Sequence, residues 1–197
     1  QILTGDLEKI RSFYMDRGYL DFDIENTTVS ISESKKNVYI AIIIDEGDKY
    51  NFGDIKISGK YYPLKEELIF QNDIKTIKGE VFSRKLLNQS TELINKELGN
   101  YGYAFSNVNP IPDVDKDNLT VGFNYFIEPG KKVYVRRISF IGNERTQDKV
   151  LRREMRQFES SYYDQEKIDQ STRRLKRTQY FEGVDIKTVS VPGISDQ

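Results

Sequence analysis

From Leu119 to Glu128 the chain is apolar at every second position. Leu119, Val121, Phe123, Tyr125 and Ile127 share one parity, with Thr120, Asn124 and Glu128 opposite. That period of two predicts a strand with one buried face. A second such segment runs Val38, Ile40, Ile42, Ile44, and a third carries Ile55 and Ile57 against Asp54, Lys56 and Ser58. Elsewhere the spacing is helical. Leu87, Ile94, Leu98 and Tyr101 form one stripe, preceded by Ser83 as a cap and Phe82 as a staple onto Leu87, and ended by Gly102. Leu3, Leu7, Ile10 and Tyr14 make an equivalent stripe that stops at Gly18.

These patterns recur. Gly47 and Gly130 follow matching strands and lie 83 apart, Gly59 and Gly142 close the next strands at the same interval, and Gly18 and Gly102 lie 84 apart. The chain is therefore expected to be an array of small units: the C-terminal part of one (1–46), a complete one (47–130), and one lacking its last strand (131–197). The complete unit reads strand, short helix from Pro63 (Leu64, Leu68), long helix, strand, strand. Its second strand is expected from Tyr103 to the prolines at 110 and 112. The third unit offers a strand at Ile138 and Phe140, a helix capped by Thr146 and another capped by Asp164. Such units suit an α+β sandwich: a three-stranded mixed sheet covered on one face by two antiparallel helices. Each outer strand then leaves unpaired backbone N–H and C=O groups. Gly47 and Pro129-Gly130 are the expected joints, and the uncovered third core implies continuation past Gln197.

Composition narrows the chemistry. The chain has 197 residues, no Cys and no His, 37% hydrophobic and 31% charged residues. Disulfides, zinc-thiolate sites and thiol catalysis are excluded, and the commonest general base is missing. No segment approaches the ~18 apolar residues of a membrane-spanning helix. The formal charge of −1 hides a gradient, with the last third basic and the rest acidic. Random surface variation or a basic end facing anionic lipid or an acidic partner would each produce it.

Asp21, Asp23 and Glu25 alternate opposite Phe22 and Ile24, the pattern of a solvated strand face. Asp113, Asp115 and Asp117 lack the Gly and spaced Glu of a calcium loop. No phosphate-binding glycine loop and no nucleic-acid-reading motif is present, so no cofactor, metal, nucleic acid or enzymatic activity is expected. Two features stand out as partner sites. Arg152, Arg156 and Glu159, spaced four and three, would share a helix face, either as a salt-bridged surface or as a docking stripe. In the first unit Val29 and Ile31 have the opposite parity from Phe22 and Ile24. Either a bulge near Glu25 switches the face, or apolar groups stand exposed beside an open edge.

Leu7–Tyr19, Glu46-Gly47-Asp48, Tyr101–Ala104, Val133–Asn143 and Val150–Gln157 (VLRREMRQ) together resemble POTRA (polypeptide-transport-associated) domains, whose order is β-α-α-β-β. VLRREMRQ is similar to the unit nearest the membrane barrel in outer-membrane assembly proteins of that family. One departure is Gln179, where the family usually has Gly. The resemblance implies a periplasmic, non-enzymatic scaffold of a Gram-negative outer-membrane protein. It would receive unfolded outer-membrane protein segments by strand addition and precede a membrane β-barrel. It also implies one accessory lipoprotein at Arg152, Arg156 and Glu159 and another at the Glu25, Val29, Ile31 strand. Other POTRA-bearing translocases, a freestanding adaptor and a carboxylate-based hydrolase are the alternative readings. The last needs two acids facing one cleft, which the alternating strands do not offer.

Overall fold

The computed structural model describes residues 2–32, 34–60 and 74–193. The helix expected from Pro63, with Leu64 and Leu68, lies outside them. The elements run α1 (Ile2–Met15), β1 (Asp23–Ile31), β2 (Val38–Asp45), β3 (Asn51–Gly59), α2 (Arg84–Asn100), β4 (Asn107–Asp115), β5 (Thr120–Glu128), α3 (Asp148–Glu154) and α4 (Gln165–Arg177). β1 and β2 form an antiparallel two-stranded sheet, and the other three strands form a second sheet in the order β3-β5-β4. Asn51 N–H bonds Leu119 O and Lys60 N–H bonds Ile127 O, so β3 and β5 advance in parallel. The described residues divide into two compact units: residues 2–32, 34–58, 74–91 and 109–126, and residues 59–60, 92–108 and 127–193.

In the first unit, the α1 stripe lies against the start of β1. The Tyr14 ring stacks on buried Phe22 with centroids 4.3 Å apart. Arg11 reaches Phe22 O and pairs with Asp23 at 2.8 Å. An aromatic core follows, in which Phe52, Phe82 and Phe123 meet with centroids 5.5–6.1 Å apart, each buried. Ser83 Oγ accepts from Leu86 N–H at 3.4 Å, so the expected cap of α2 is made. The expected β5 pattern holds: Val121, Phe123, Tyr125 and Ile127 are all buried, each fully buried side chain contributing about 1.5–3 kcal/mol. Leu119 departs from it, standing just before β5 with φ +50°.

In the second unit, Ile94 and Leu98 of α2 are completely buried, whereas Tyr101 is exposed and leaves the expected stripe. Gly102 ends the helix with φ +98°, a conformation in which a Cβ is strained. β4 corrects the sequence reading. It starts at Asn107 rather than Tyr103 and runs through Pro110 and Pro112 to Asp115. Proline is tolerated in a strand at the sheet's edge, where β4 lies.

The third repeat buries Leu151, Met155 and Leu175, with Ile138, Phe140, Phe181, Val184 and Ile186 against them. Ile138 and Phe140 thus reach the core, but no strand forms there. A strand requires a ladder partner, and the described bridge of this segment is Tyr134 to Tyr162. Thr146 is not the cap of α3. Gln147 holds that position without a side-chain bond, while Asn143 Nδ2 bonds Thr146 O and Asp148 Oδ1. Asp164 caps α4 as expected, accepting from Lys167 N–H at 3.1 Å. Gln179 adopts φ +57°, the left-handed stop that Gly would have met without strain.

Each unit contains one joint between repeats, and the two joints are built alike. At the first, Asp16 after α1 accepts from Lys85 N–H, the second residue of α2, at 2.8 Å. Gly18 O accepts from Tyr50 N–H at 2.8 Å. At the second, Asn100 at the end of α2 accepts from Glu166 N–H, the second residue of α4, at 3.0 Å. Gly102 O there accepts from Val133 N–H at 3.0 Å. Lys96 and Asp169 add an ion pair at 2.6 Å. The first four N–H groups of a helix have no partner within it, so each repeat completes the next repeat's helix. Replacing a capping Asp or Asn by Ala costs about 0.5–2 kcal/mol. Asp16→Ala and Asn100→Ala should each lower the thermal melting midpoint accordingly. Unchanged melting would show that water replaces the cap at no cost.

Candidate functional site

The β1–β2 sheet unites both alternatives for Val29 and Ile31. The antiparallel register pairs Val29 with Ile40 and Ile31 with Val38, and it shifts between Ile24 and Asn26, leaving Glu25 as the bulged residue. The extra residue switches parity. Ile24, Val29 and Ile31 thereby join Val38, Ile40, Ile42 and Ile44 on one face, because directly opposed residues share a face. That face is nonetheless open toward the strand ends: Val29 is 52% exposed, Ile31 66%, Val38 59% and Ile40 52%. At the 83-residue interval Val38 and Ile40 correspond to Val121 and Phe123, which are buried, so this face corresponds to the core face of the complete repeat. Among the described residues β1 pairs only with β2, so its other edge presents free backbone groups.

The acidic alternation nearby stands exposed opposite buried Phe22, as expected of a solvated strand face. Asp21 accepts from buried Tyr50 Oη at 3.1 Å, Asp23 pairs with Arg11, and Glu25 sits at the bulge. The Arg11 guanidinium holds the Asp23 carboxyl below the usual carboxylate range. Asp115 shapes the β4–β5 turn, accepting from the N–H groups of Asp117 and Asn118 at 3.1 and 3.0 Å. Among the described residues no group of three or more carboxylates is arranged to hold a metal ion.

In the third repeat the expected helical stripe takes another form. α3 ends at Glu154, so Arg156 and Glu159 lie beyond it, because the chain turns extended at Met155 (φ −67°, ψ 142°). The three residues separate into two arrangements. Arg152 Nη1 meets Glu159 Oε1 at 3.1 Å, and Arg152 Nη2 donates to Ile138 O at 3.0 Å. Ile138 N–H in turn donates to Glu159 Oε1 at 2.8 Å. Arg152 also lies 5.4 Å from the Phe140 ring centroid. Arg156 instead points back to α3, donating to Met155 O at 3.0 Å and Arg153 O at 3.4 Å. Side-chain exposures of 45% for Arg152 and 38% for Glu159 leave the pair open to solvent.

Sequence reasoning missed the residues that set this geometry. Buried Gln157 donates to Ser161 Oγ at 2.8 Å and Tyr162 O at 2.9 Å and accepts from Asp164 N–H at 2.9 Å. That pins the loop carrying Glu159. Its signal was present, since Gln157 ends the VLRREMRQ segment, but its partners are set by the turn and not by helical spacing. An apolar cleft of about 370 Å³ lies between segments 133–141 and 181–191, over Leu151, Met155, Ile168 and Leu175.

The recurring architecture defines a class. The POTRA family profile ("Surface antigen variable number repeat") matches residues 1–47, 50–130 and 133–196, and the chain belongs to that family. It is 35% identical over its whole length to the outer membrane protein assembly factor BamA of Neisseria meningitidis serogroup B, covering 25% of that protein. To the BamA of Buchnera aphidicola it is 33% identical, over 93% of this chain and 30% of that one. The chain thus spans less than a third of these relatives. Among solved structures, BamA POTRA3-5 of Haemophilus influenzae matches with a TM-score of 0.89 and 29% identity, over 98% of this chain and 76% of that one. BamA of Haemophilus ducreyi lacking POTRA domains 1-3 matches with a TM-score of 0.61 and 32% identity, over 75% of this chain and 28% of that one. The repeats correspond to the periplasmic POTRA region of an outer-membrane assembly factor. Among the described residues no helix is long and apolar enough to cross a membrane.

The Ile138 N–H, and after it the Arg152 guanidinium, hold Glu159 below the usual carboxylate range. A lowered folded-state pKa contributes stability that is present above the unfolded value, ~4.3 for Glu, and is lost as pH falls through the folded value. Following the Glu159 carboxyl by NMR should give a midpoint below that of an exposed Glu. Arg152→Ala should return it only part of the way, because the larger Ile138 bond remains. A midpoint at the ordinary value in the unaltered protein would contradict this geometry.

Proposed function

We propose that the chain is a non-enzymatic scaffold that receives unfolded outer-membrane protein segments by strand addition and docks accessory lipoproteins beside a membrane β-barrel. The observation that carries this reading is the unpaired edge of β1 beside exposed Val29 and Ile31, in a family whose relatives are named outer membrane protein assembly factors. Main-chain bonds at an edge tolerate many client sequences, and alternate side chains find the apolar face. Ordering an unfolded client costs entropy, so each addition is weak and reversible, as handover requires.

Residues 1–46, 47–130 and 131–197 would act as three modules with joints at Gly47 and Pro129-Gly130. Support comes from the separate family matches and from the positive φ of both glycines, +65° and +71°. A BamB-like lipoprotein is assigned to Glu25, Val29 and Ile31, and a BamD-like lipoprotein to Arg152, Arg156 and Glu159. Forked guanidiniums suit carboxylates on such a partner.

Val29→Asp and Ile31→Asp should weaken binding of an extended client or of the first lipoprotein while the melting curve stays in place, since both side chains already face solvent. Unfolding of the first repeat would make them core residues and refute the site. Arg156→Glu should weaken the second lipoprotein by about 30-fold or more, the usual scale for reversing an interfacial charge. Unchanged affinity in both Arg156→Glu and Arg152→Glu would reduce the cluster to a structural brace for Ile138.

A further inference from the structure

The repeat lets two sheet edges of one chain be compared position by position. β1 spans Asp23–Ile31 and β4 spans Asn107–Asp115, so equivalent residues lie 84 apart, the interval of Gly18 and Gly102. Both strands are nine residues long and both lie at a sheet edge among the described residues. Both expose apolar side chains: Val29 and Ile31 on β1, Ile111 and Val114 on β4. An exposed apolar edge is adhesive toward any extended chain.

The two edges differ in their donors. β4 carries proline at 110 and 112, whereas on β1 the Ser32 N–H bonds Asn37 O in the ladder register, which turns Asn26 and Thr28 toward β2 and leaves Thr27, Val29 and Ile31 as the outward donors, all with an N–H. Successive strand residues direct their N–H and C=O groups to opposite sides. Pro110 and Pro112 share parity, and neither has an N–H. β4 keeps its ladder to β5 only if their parity is the outward one. Two consecutive outward donor positions are therefore missing, and an incoming strand would leave two of its carbonyls unpaired. Each such group would be taken from water without a partner, which disfavours addition at β4. The β1 edge has no such gap.

We infer that Pro110 and Pro112 close the β4 edge to strand addition and thereby direct an extended, alternately apolar segment of an unfolded outer-membrane protein to β1. The inference rests on the strand-addition reading above, and it makes the proline pair a determinant of which repeat is used. Closure by proline leaves the β4 surface apolar without leaving it adhesive.

The probe is a nine-residue peptide alternating valine and threonine, flanked by lysines for solubility, with site-resolved amide exchange as the readout. At about ten times its Kd the peptide should slow outward β1 amides by about tenfold, the factor 1 + [L]/Kd, and leave the β4 amides of the unaltered protein unaffected. The double variant Pro110→Asn, Pro112→Thr restores both missing N–H groups and supplies two new reporter amides, both of which should become protected. Protection of β4 in the unaltered protein, or none at the new amides of the double variant while β1 responds, overturns the proline inference alone. Absence of protection at β1 in both proteins overturns the strand-addition reading itself.

Discussion

A helix cannot satisfy its own first N–H groups, and in this chain that deficit is met from the preceding repeat. Asp16 supplies the acceptor for Lys85, and Asn100 supplies it for Glu166, at 2.8 and 3.0 Å. The same two places carry a second bond, in which the Tyr50 or Val133 N–H donates to the carbonyl of the glycine after the preceding helix. The constraint is local chemistry reused at an interval. It accounts for a joint that stays together although few residues link one closing strand to the next opening one. It also explains why the compact units fall around the joints and divide the middle repeat.

Each described sheet has an edge strand, and each edge is tuned by its own residues. On β1 a bulge at Glu25 brings Ile24, Val29 and Ile31 to the face of Val38, Ile40, Ile42 and Ile44, and the open end of that face stays apolar. On β4 two prolines remove outward donors. In the third repeat the exposed Arg152–Glu159 pair is fastened to the backbone of Ile138, so a charged surface and the segment beneath it hold their geometry together. A rigid presentation lowers the ordering cost that a partner would otherwise meet on docking.

Much of this was legible in the residues, and the limits are physical. The alternation of Val121, Phe123, Tyr125 and Ile127 marked a buried strand face, because period two survives any tertiary context that keeps one face covered. Ser83, Gly102 and Asp164 marked helix ends through bonds spanning only a few residues. Pro110 and Pro112 were misread as a strand end, since proline marks a terminus and an edge equally well and only the sheet order decides. Arg152, Arg156 and Glu159 were expected on one helix face, because helical spacing does not reveal that the chain turns extended at Met155. The joint bonds join residues 69 and 66 positions apart, and no local periodicity encodes an acceptor at that distance.

The joints depend most on the two caps between repeats, and amide hydrogen exchange at Lys85 and Glu166 tests them most directly. As second residues of their helices, both N–H groups have no intrahelical acceptor. The account predicts slow exchange at both, with Asn100→Ala restoring fast exchange at Glu166 and leaving Lys85 unchanged. Exchange at both positions as fast as at an uncapped first turn would contradict it.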